Sequence, residues 1–176
     1  MRAFIRSIII FSPSVRRTEF GEVRLLVSDE LIRSAGVADT EKAGAALAAR
    51  LSRSGIRLPC FVALYGDLGA GKTAFTRGFV SVLSPGSRVK SPTYTVVNEY
   101  RRGSVPVFHF DFYRIDGADS LDSIGFEEYL TSGVCIGEWS ENVALWLPQD
   151  AVRVTIRKTG EDTREIKIAG ERESVC

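Results

Sequence analysis

One short stretch, residues 66–73, restricts the fold of this chain more than any other feature. It reads GDLGAGKT and matches the pattern G-x-x-x-x-G-K-[ST]. The apolar, β-branched and aromatic run Phe61–Tyr65 comes directly before it, and a segment rich in helix-forming residues follows. A strand, a glycine-rich loop and a helix in this order predict a phosphate-binding loop (Walker A motif) that holds a nucleoside triphosphate.

Each residue type in this loop has a physical task toward a triphosphate. Glycines let backbone N–H groups turn toward phosphate oxygens, and the positive end of the helix dipole faces the same anion. We expect Lys72 to reach the β- and γ-phosphates and Thr73 to place its hydroxyl on Mg²⁺. The predicted nucleotide contacts of the loop are Gly66, Asp67, Leu68, Gly69, Ala70, Gly71, Lys72 and Thr73.

Composition excludes several classes of protein. With 176 residues, 44% of them hydrophobic and 26% charged, the chain has the size and composition of one ordinary globular domain. A net charge of +1 gives no general reason for direct nucleic-acid binding, and no apolar run is long enough to span a membrane. The three cysteines form no C-x-x-C pair, which suits a reducing compartment, so we expect a cytoplasmic protein.

The order of apolar and helix-forming segments predicts a three-layer α/β fold of the P-loop NTPase type, with a mixed parallel and antiparallel sheet. Val23–Val27 is predicted to be a first strand, and Val105–Tyr113 a central strand because it is apolar on both faces. Asp119–Leu130 is predicted to be a helix. Val152–Ile156 and Arg164–Ile168 alternate with period two and predict a closing antiparallel hairpin.

Two acidic residues stand where apolar strands end. Asp111 follows VFHF, and Glu138 follows VCIG. Ligands of open α/β sheets lie beyond the carboxyl ends of the strands. Carboxylates at that place can hold Mg²⁺, directly or through water, or orient an attacking water molecule. Together with the phosphate loop, these two residues predict a hydrolytic site.

Three further features leave alternatives open. His109 shares a strand face with Asp111, so it either positions Asp111 or a water molecule or is a buried core histidine. Trp139 suits the core as well as a stacking contact with a base or a partner. The segment Ser91–Thr95 is either an ordinary Ser-Pro turn or a switch that orders around the γ-phosphate, and its density of hydroxyls and aromatics favours the switch.

Taken together, these segments resemble one family, the TsaE (YjeE) ATPases of tRNA threonylcarbamoyladenosine synthesis. The similar pieces are GDLGAGKT at Gly66–Thr73, VKSPTYTVVNEY at Val89–Tyr100, HFDFYR at His109–Arg114 and EW at Glu138–Trp139. The resemblance extends over residues 36–170 or thereabouts. The phosphate loop is shared by many families, whereas the other three segments in this order are much more specific.

The resemblance implies an ATP-hydrolysing subunit that works with TsaB and TsaD. That complex transfers threonylcarbamoyl to the adenosine beside the anticodon of tRNAs reading codons that begin with A. Hydrolysis is then expected to reset the complex between turnovers rather than to perform the transfer. The implied contact with tRNA runs through the complex, without strong direct binding and without a membrane.

The implied cofactors are ATP and Mg²⁺. Carried over by motif, Lys72 and the Gly66–Gly71 backbone hold the phosphates, and Thr73 and Glu138 bind the metal. Asp111 serves in hydrolysis or in the metal shell, so Asp111 and Lys72 are the expected catalytic residues.

The resemblance also places Thr40 and Arg164 near the nucleotide, and Trp139 near the nucleotide or a partner surface. Ala74 departs from it, because the family often has a second threonine there. We divide the chain into an N-terminal extension, residues 1–30, and one P-loop ATPase domain, residues 31–176.

Other functions fit a phosphate loop less well. A small kinase of a nucleoside or another small molecule remains the alternative, but it needs an arginine-rich lid, and Arg101–Arg102 is only a short pair in a turn. A GTP-dependent switch expects N-K-x-D, whereas Asn98 and Asn142 are followed by Glu and Val. A non-catalytic ATP-binding module would not need Asp111 and Glu138 at its strand ends.

Overall fold

The computed structural model describes residues 29–115 and 117–170, which contain both strands and helices. The strands are β1 (Glu30–Ser34), β2 (Cys60–Tyr65), β3 (Val97–Tyr100), β4 (Val107–Asp111), β5 (Val134–Glu138), β6 (Val152–Lys158) and β7 (Arg164–Ala169). The helices are α1 (Val37–Arg53), α2 (Lys72–Leu83), α3 (Ala118–Ser123) and α4 (Phe126–Ser132), with a 3₁₀ segment at Ser140–Trp146. A division of the chain at residue 30 stays a prediction.

All seven strands form one mixed sheet in the order β1-β7-β6-β2-β5-β4-β3. Parallel pairing joins β6, β2, β5 and β4, while β7, β1 and β3 are added by antiparallel pairing. The predicted α/β fold with a mixed sheet is therefore confirmed, and β6–β7 is the predicted closing hairpin. Because β2, β4 and β5 run parallel, their carboxyl ends meet at one edge of the sheet, where a ligand site is expected.

Two predicted elements need correction, and a third is not tested. β4 is predicted to be a central strand, but it lies between β5 and β3, one strand from the edge of the sheet. It is nevertheless buried on both faces, because a layer of helices covers each face of the sheet even at this position. The predicted helix Asp119–Leu130 is interrupted at Gly125, whose φ of 68° lies in the left-handed region and cannot continue a right-handed helix. The predicted strand Val23–Val27 lies outside the described residues, and the first described strand is β1.

The sheet has a different hydrophobic layer on each face. On one face, α1 and α2 cover residues such as Val62 and Ile136 with Leu47, Phe75 and Phe79. On the other face, α3 and α4 cover a cluster of aromatic rings, among them Phe61, Phe108, Phe110, Phe112 and Phe126. Among the described residues, none of the helices has the length and hydropathy that a bilayer-spanning helix needs.

Helices α1 and α2 pack at very short range, which places the start of α1 beside the phosphate loop. A Cβ atom built on Gly78 would lie 1.8 Å from the carbonyl oxygen of Glu41. The obstacle is backbone, so it cannot move aside as a flexible side chain would. Glycine is therefore required at this position by space, although it is a poor helix former.

Replacing Gly78 by alanine is expected to lower the free energy of unfolding by about 2–3 kcal/mol, because inserting atoms into a packed contact forces a backbone shift. Urea unfolding followed by circular dichroism measures this loss. Ser81→Ala, at an exposed position of the same helix, is the control and is expected to change stability by less than about 0.5 kcal/mol. Equal effects in both variants would contradict the packing argument.

Candidate active site

A cleft of about 510 Å³ opens at the carboxyl edge of the sheet. The loop after β2, the first turns of α2, the segment before β3 and the ends of β4 and β5 all contribute to it. The lining residues are Leu68, Gly69, Ala70, Gly71, Lys72, Thr73, Ala74, Arg77, Ser91, Thr93, Asp111, Tyr113, Glu138 and Trp139. The structure thus gathers the predicted site residues in one opening, except for Gly66, Asp67, Thr40 and Arg164.

Glycines shape the loop between β2 and α2. Gly66 has a φ of 138°, and a Cβ atom built there would lie 2.2 Å from the carbonyl oxygen of Ile156. Gly71, with a φ of 111°, precedes the first residue of α2. This backbone turns the N-terminus of α2 into the cleft, so that its free N–H groups and its dipole favour an anion there.

Lys72 is the first residue of α2, and its ammonium group lies inside the loop. Nζ donates hydrogen bonds to the carbonyl oxygens of Gly66 and Asp67, the latter at 3.0 Å. It also lies 3.7 Å from the centroid of the Trp139 ring, a cation–π contact. Burial lowers the pKa of this ammonium, and nearby carboxylates, foremost Glu138, oppose that effect. A desolvated cation with partial compensation is a strong attractor for an anionic ligand.

Thr73 and Glu138 form a pair of oxygen donors at the base of the cleft. The Thr73 hydroxyl donates to Glu138 Oε2 at 3.0 Å. The other carboxylate oxygen, Oε1, lies 2.9 Å from Nε2 of His109. Of the two interpretations of His109, neither is complete: it is fully buried, but it contacts Glu138 rather than Asp111.

Asp111, paired with Glu138 across β4 and β5, connects the cleft to the segment before β3. Its Oδ2 accepts hydrogen bonds from the hydroxyls of Ser91 (3.1 Å) and Thr93 (2.8 Å). Val96, which ends this segment, has a φ of 65°, a strained conformation for a β-branched residue. The hydroxyls predicted to form a switch are therefore bound to the predicted catalytic carboxylate, while switching itself stays a prediction.

Trp139 lies partly in the core and partly at the cleft, while stacking on a base or a partner stays a prediction. Its ring packs against the aromatic layer of the α3–α4 face and lines the cleft, where it lies 5.1 Å from the ring of Tyr113. Its backbone has a φ of 59°, which is rare for a bulky residue. Such strain concentrates at functional sites, where the surrounding structure holds it in place.

Thr40 and Arg164 lie beside the phosphate loop, outside the cleft. Thr40 is buried, and its Cγ2 would lie 3.5 Å from a Cβ atom built on Gly71. Arg164 donates from Nε to the carbonyl oxygen of Ala70 at 2.9 Å. Arg164 also lines a second pocket of about 290 Å³, together with Arg33, Ser34, Ala35, Thr159, Thr163 and Glu165.

Two lining residues, Arg77 and Tyr113, are absent from the sequence prediction. Arg77 lies four residues after Thr73 on α2, so helical spacing puts both on one face, and this signal could have found it. Its Nε donates to Glu41 Oε1 at 2.8 Å. Tyr113 follows the end of β4, and its N–H donates to Asp111 Oδ1 at 3.1 Å.

The protein supplies few metal ligands of its own. Within residues 29–115 and 117–170, no group of three or more His, Cys, Asp or Glu side chains could hold a metal ion. One hydroxyl and one carboxylate, as at Thr73 and Glu138, suit Mg²⁺, which usually keeps waters and takes phosphate oxygens as further ligands.

Residues 34–166 match the family model described as threonylcarbamoyl adenosine biosynthesis protein TsaE. The tRNA threonylcarbamoyladenosine biosynthesis protein TsaE of Bacillus subtilis is 43% identical over 104 residues, which cover 58% of this chain and 65% of that protein, just under two thirds. The protein of the same name from Haemophilus influenzae is 40% identical over 111 residues, covering 62% of this chain and 70% of the relative. The crystal structure of Bacillus subtilis YdiB is similar with a TM-score of 0.64 at 33% identity, over 81% of this chain and 86% of that one.

Proposed function

Because the chain belongs to the TsaE family, we propose that it is a Mg²⁺-dependent ATP hydrolase serving tRNA threonylcarbamoyladenosine biosynthesis. The relatives that it matches are named for this modification. One observation carries the enzymatic part of the proposal: the phosphate loop, the Thr73–Glu138 pair and Asp111 face a single cleft.

The phosphate loop would hold the triphosphate. The N–H groups of the Gly66–Gly71 loop and of the first turn of α2 are donors for phosphate oxygens. Lys72 would exchange the carbonyl oxygens of Gly66 and Asp67 for the β- and γ-phosphates. The negative charge of the ligand would also offset the burial that lowers the pKa of Lys72.

Thr73 and Glu138 would hold Mg²⁺, which supplies neutralisation of the phosphate charge when bound. Both groups are hard oxygen ligands, and their separation of 3.0 Å supports the proposal that they bind one ion together. Asp111 stands one strand away and would accept a hydrogen bond from the attacking water molecule or from a water in the metal shell. Its carboxylate is at the cleft surface and in register with Glu138.

The nucleoside end of ATP would extend toward the second pocket. Arg164 lines that pocket and donates a hydrogen bond to the phosphate loop, so it lies between the cleft and the second pocket. Ser34 lies in the same pocket and hydrogen-bonds Thr40 at 2.8 Å. Competition between ATP and GTP for the chain would measure whether these contacts prefer adenine.

This ATPase would act in the cytoplasm with TsaB and TsaD type proteins and meet tRNA through them. The chain's own net charge of +1 supplies little long-range attraction for RNA. Beside the cleft, Tyr94 is 87% exposed and Tyr113 55% exposed, and exposed aromatic side chains are typical of protein interfaces. Hydrolysis would be slow in the isolated chain, and partner contact at this rim would accelerate it in the complex.

Asp111→Asn tests the hydrolytic assignment. We expect ATP hydrolysis to fall by about 10²–10⁴-fold, the usual contribution of a positioned proton acceptor, while ATP binding changes little because the amide keeps the shape. Phosphate release without any added acceptor measures the rate and separates a hydrolase from a kinase. Asp122→Asn, at an exposed position of α3, is the control. Hydrolysis at the wild-type rate in Asp111→Asn would overturn the proposed role.

A further inference from the structure

We propose that His109 is a positioning residue for the metal site and acts through Glu138; this inference rests on the function proposed above. His109 is not one of the residues that line the cleft, so its imidazole would contact neither ATP nor the metal. Its task would be to fix the orientation of the carboxylate that does.

The sheet places His109 behind Glu138. On β4, Val107 shares a face with His109 and packs in the hydrophobic layer under α1 and α2. On β5, Val134 and Ile136 share a face with Glu138 and pack in the same layer. His109 and Glu138 therefore lie on the same face of the sheet. His109 is opposite Ile136 in the parallel register, one pair before Asp111 and Glu138. This diagonal brings Nε2 to 2.9 Å from Glu138 Oε1, in a fully buried position.

Packing alone does not account for a histidine at this place. His109 has no exposed surface and stands between Phe108 and Phe110 in the chain. Among the described residues, nothing forms a hydrogen bond with its buried Nδ1. An unsatisfied buried nitrogen opposes folding, and an apolar residue would avoid that penalty. The imidazole offers one thing that leucine or phenylalanine cannot, which is a donor for Glu138.

The hydrogen bond determines which oxygen of Glu138 points at the metal site. A carboxylate only accepts hydrogen bonds, so Nε2 carries the proton. Oε1 then accepts the hydrogen bond from His109, and Oε2 stays on the side of Thr73, 3.0 Å from its hydroxyl. Without the donor, the carboxylate could rotate away from the Thr73 side, and metal affinity would drop because the ligand is no longer preorganised.

The test compares side chains that differ in the reach of their donor. The amide nitrogen of glutamine is as many bonds from Cβ as Nε2 of histidine, whereas that of asparagine is one bond closer. With a non-hydrolysable ATP analogue present, Mn²⁺ binding followed by electron paramagnetic resonance should weaken about 10–100-fold in His109→Leu and His109→Asn. His109→Gln should stay within about threefold of the wild type, because it restores the donor.

Ile136→Val is the matched control, since it trims a buried neighbour on the same face without touching the hydrogen bond. It should lose some thermal stability and keep its Mn²⁺ affinity. If His109→Leu does not fold, the asparagine and glutamine variants alone decide the question. Equal Mn²⁺ affinity in these two amides would overturn the inference. A wild-type chain that binds the nucleotide analogue neither with nor without Mn²⁺ would overturn the proposed function as well.

Discussion

Replacing Lys72 by alanine is expected to abolish detectable ATP binding or to slow hydrolysis by at least about a hundredfold. A positioned donor that stabilises developing charge in a desolvated site contributes about 10²–10³-fold to a rate. Lys72 is such a donor: it is the cation at the start of α2, and its side chain lies among the loop carbonyls within the cleft. Calorimetric titration with ATP and phosphate release in the presence of Mg²⁺ measure the two effects.

Loss of fold is not expected to explain the Lys72 result. Burial lowers the pKa of this ammonium, which means that the folded protein already disfavours the charge. Lys72→Ala removes that burial cost and also the hydrogen bonds to Gly66 and Asp67 and the contact with Trp139, so the midpoint of thermal unfolding should change little. Lys167→Ala, on the exposed side of β7, removes the same charge elsewhere and should retain ATP binding. ATP turnover at the wild-type rate in Lys72→Ala would contradict the site assignment.

Replacing Glu138 by alanine is expected to raise the Mg²⁺ concentration needed for half-maximal hydrolysis by at least about tenfold. The variant loses a buried carboxylate ligand and leaves two donors, the Thr73 hydroxyl and His109 Nε2, without their acceptor. Water in the cleft can replace the acceptor of Thr73, but an unsatisfied buried donor such as His109 Nε2 costs about 1–3 kcal/mol, so the free energy of unfolding should fall as well. A Mg²⁺ titration of the hydrolysis rate, with urea unfolding beside it, gives both values.

The metal effect of Glu138 can be separated from its effect on stability. Glu138→Gln keeps an acceptor and the size of the side chain but removes the charge, so it should fold more stably than Glu138→Ala and still need more Mg²⁺ than the wild type. Glu161→Ala removes an exposed carboxylate between β6 and β7 and should leave the Mg²⁺ titration unchanged. An unaltered Mg²⁺ dependence in both Glu138 variants would exclude this residue as a metal ligand.

The parts of the site that were predictable depend on contiguous residues or on general rules of α/β sheets. The strand, loop and helix around Gly66–Thr73 are specified locally, so their motif indicates their conformation. Asp111 and Glu138 were found because apolar strands that end in a carboxylate place it at the ligand-binding edge when they run parallel.

Other features depend on contacts between distant segments that the chain pattern does not encode. The position of β4 near the sheet edge follows from strand order, which hydrophobicity alone does not determine. The diagonal between His109 and Glu138 requires the register of β4 on β5, and the bond of Arg164 to Ala70 requires the closing hairpin to pass beside the loop. Gly125 interrupts a segment that is otherwise rich in helix-forming residues, because the backbone of Gly125 lies in the left-handed region.

Multiple-turnover modification of tRNA is the most direct test of the central claim. Purified TsaB and TsaD type proteins would receive threonylcarbamoyl-adenylate, tRNA and Mg·ATP, with this chain, with its Lys72→Ala variant or without it, and modified adenosine would be counted per complex. The account predicts repeated rounds of modification only with the wild-type chain and ATP. Equal multiple-turnover modification in the absence of the chain would contradict it.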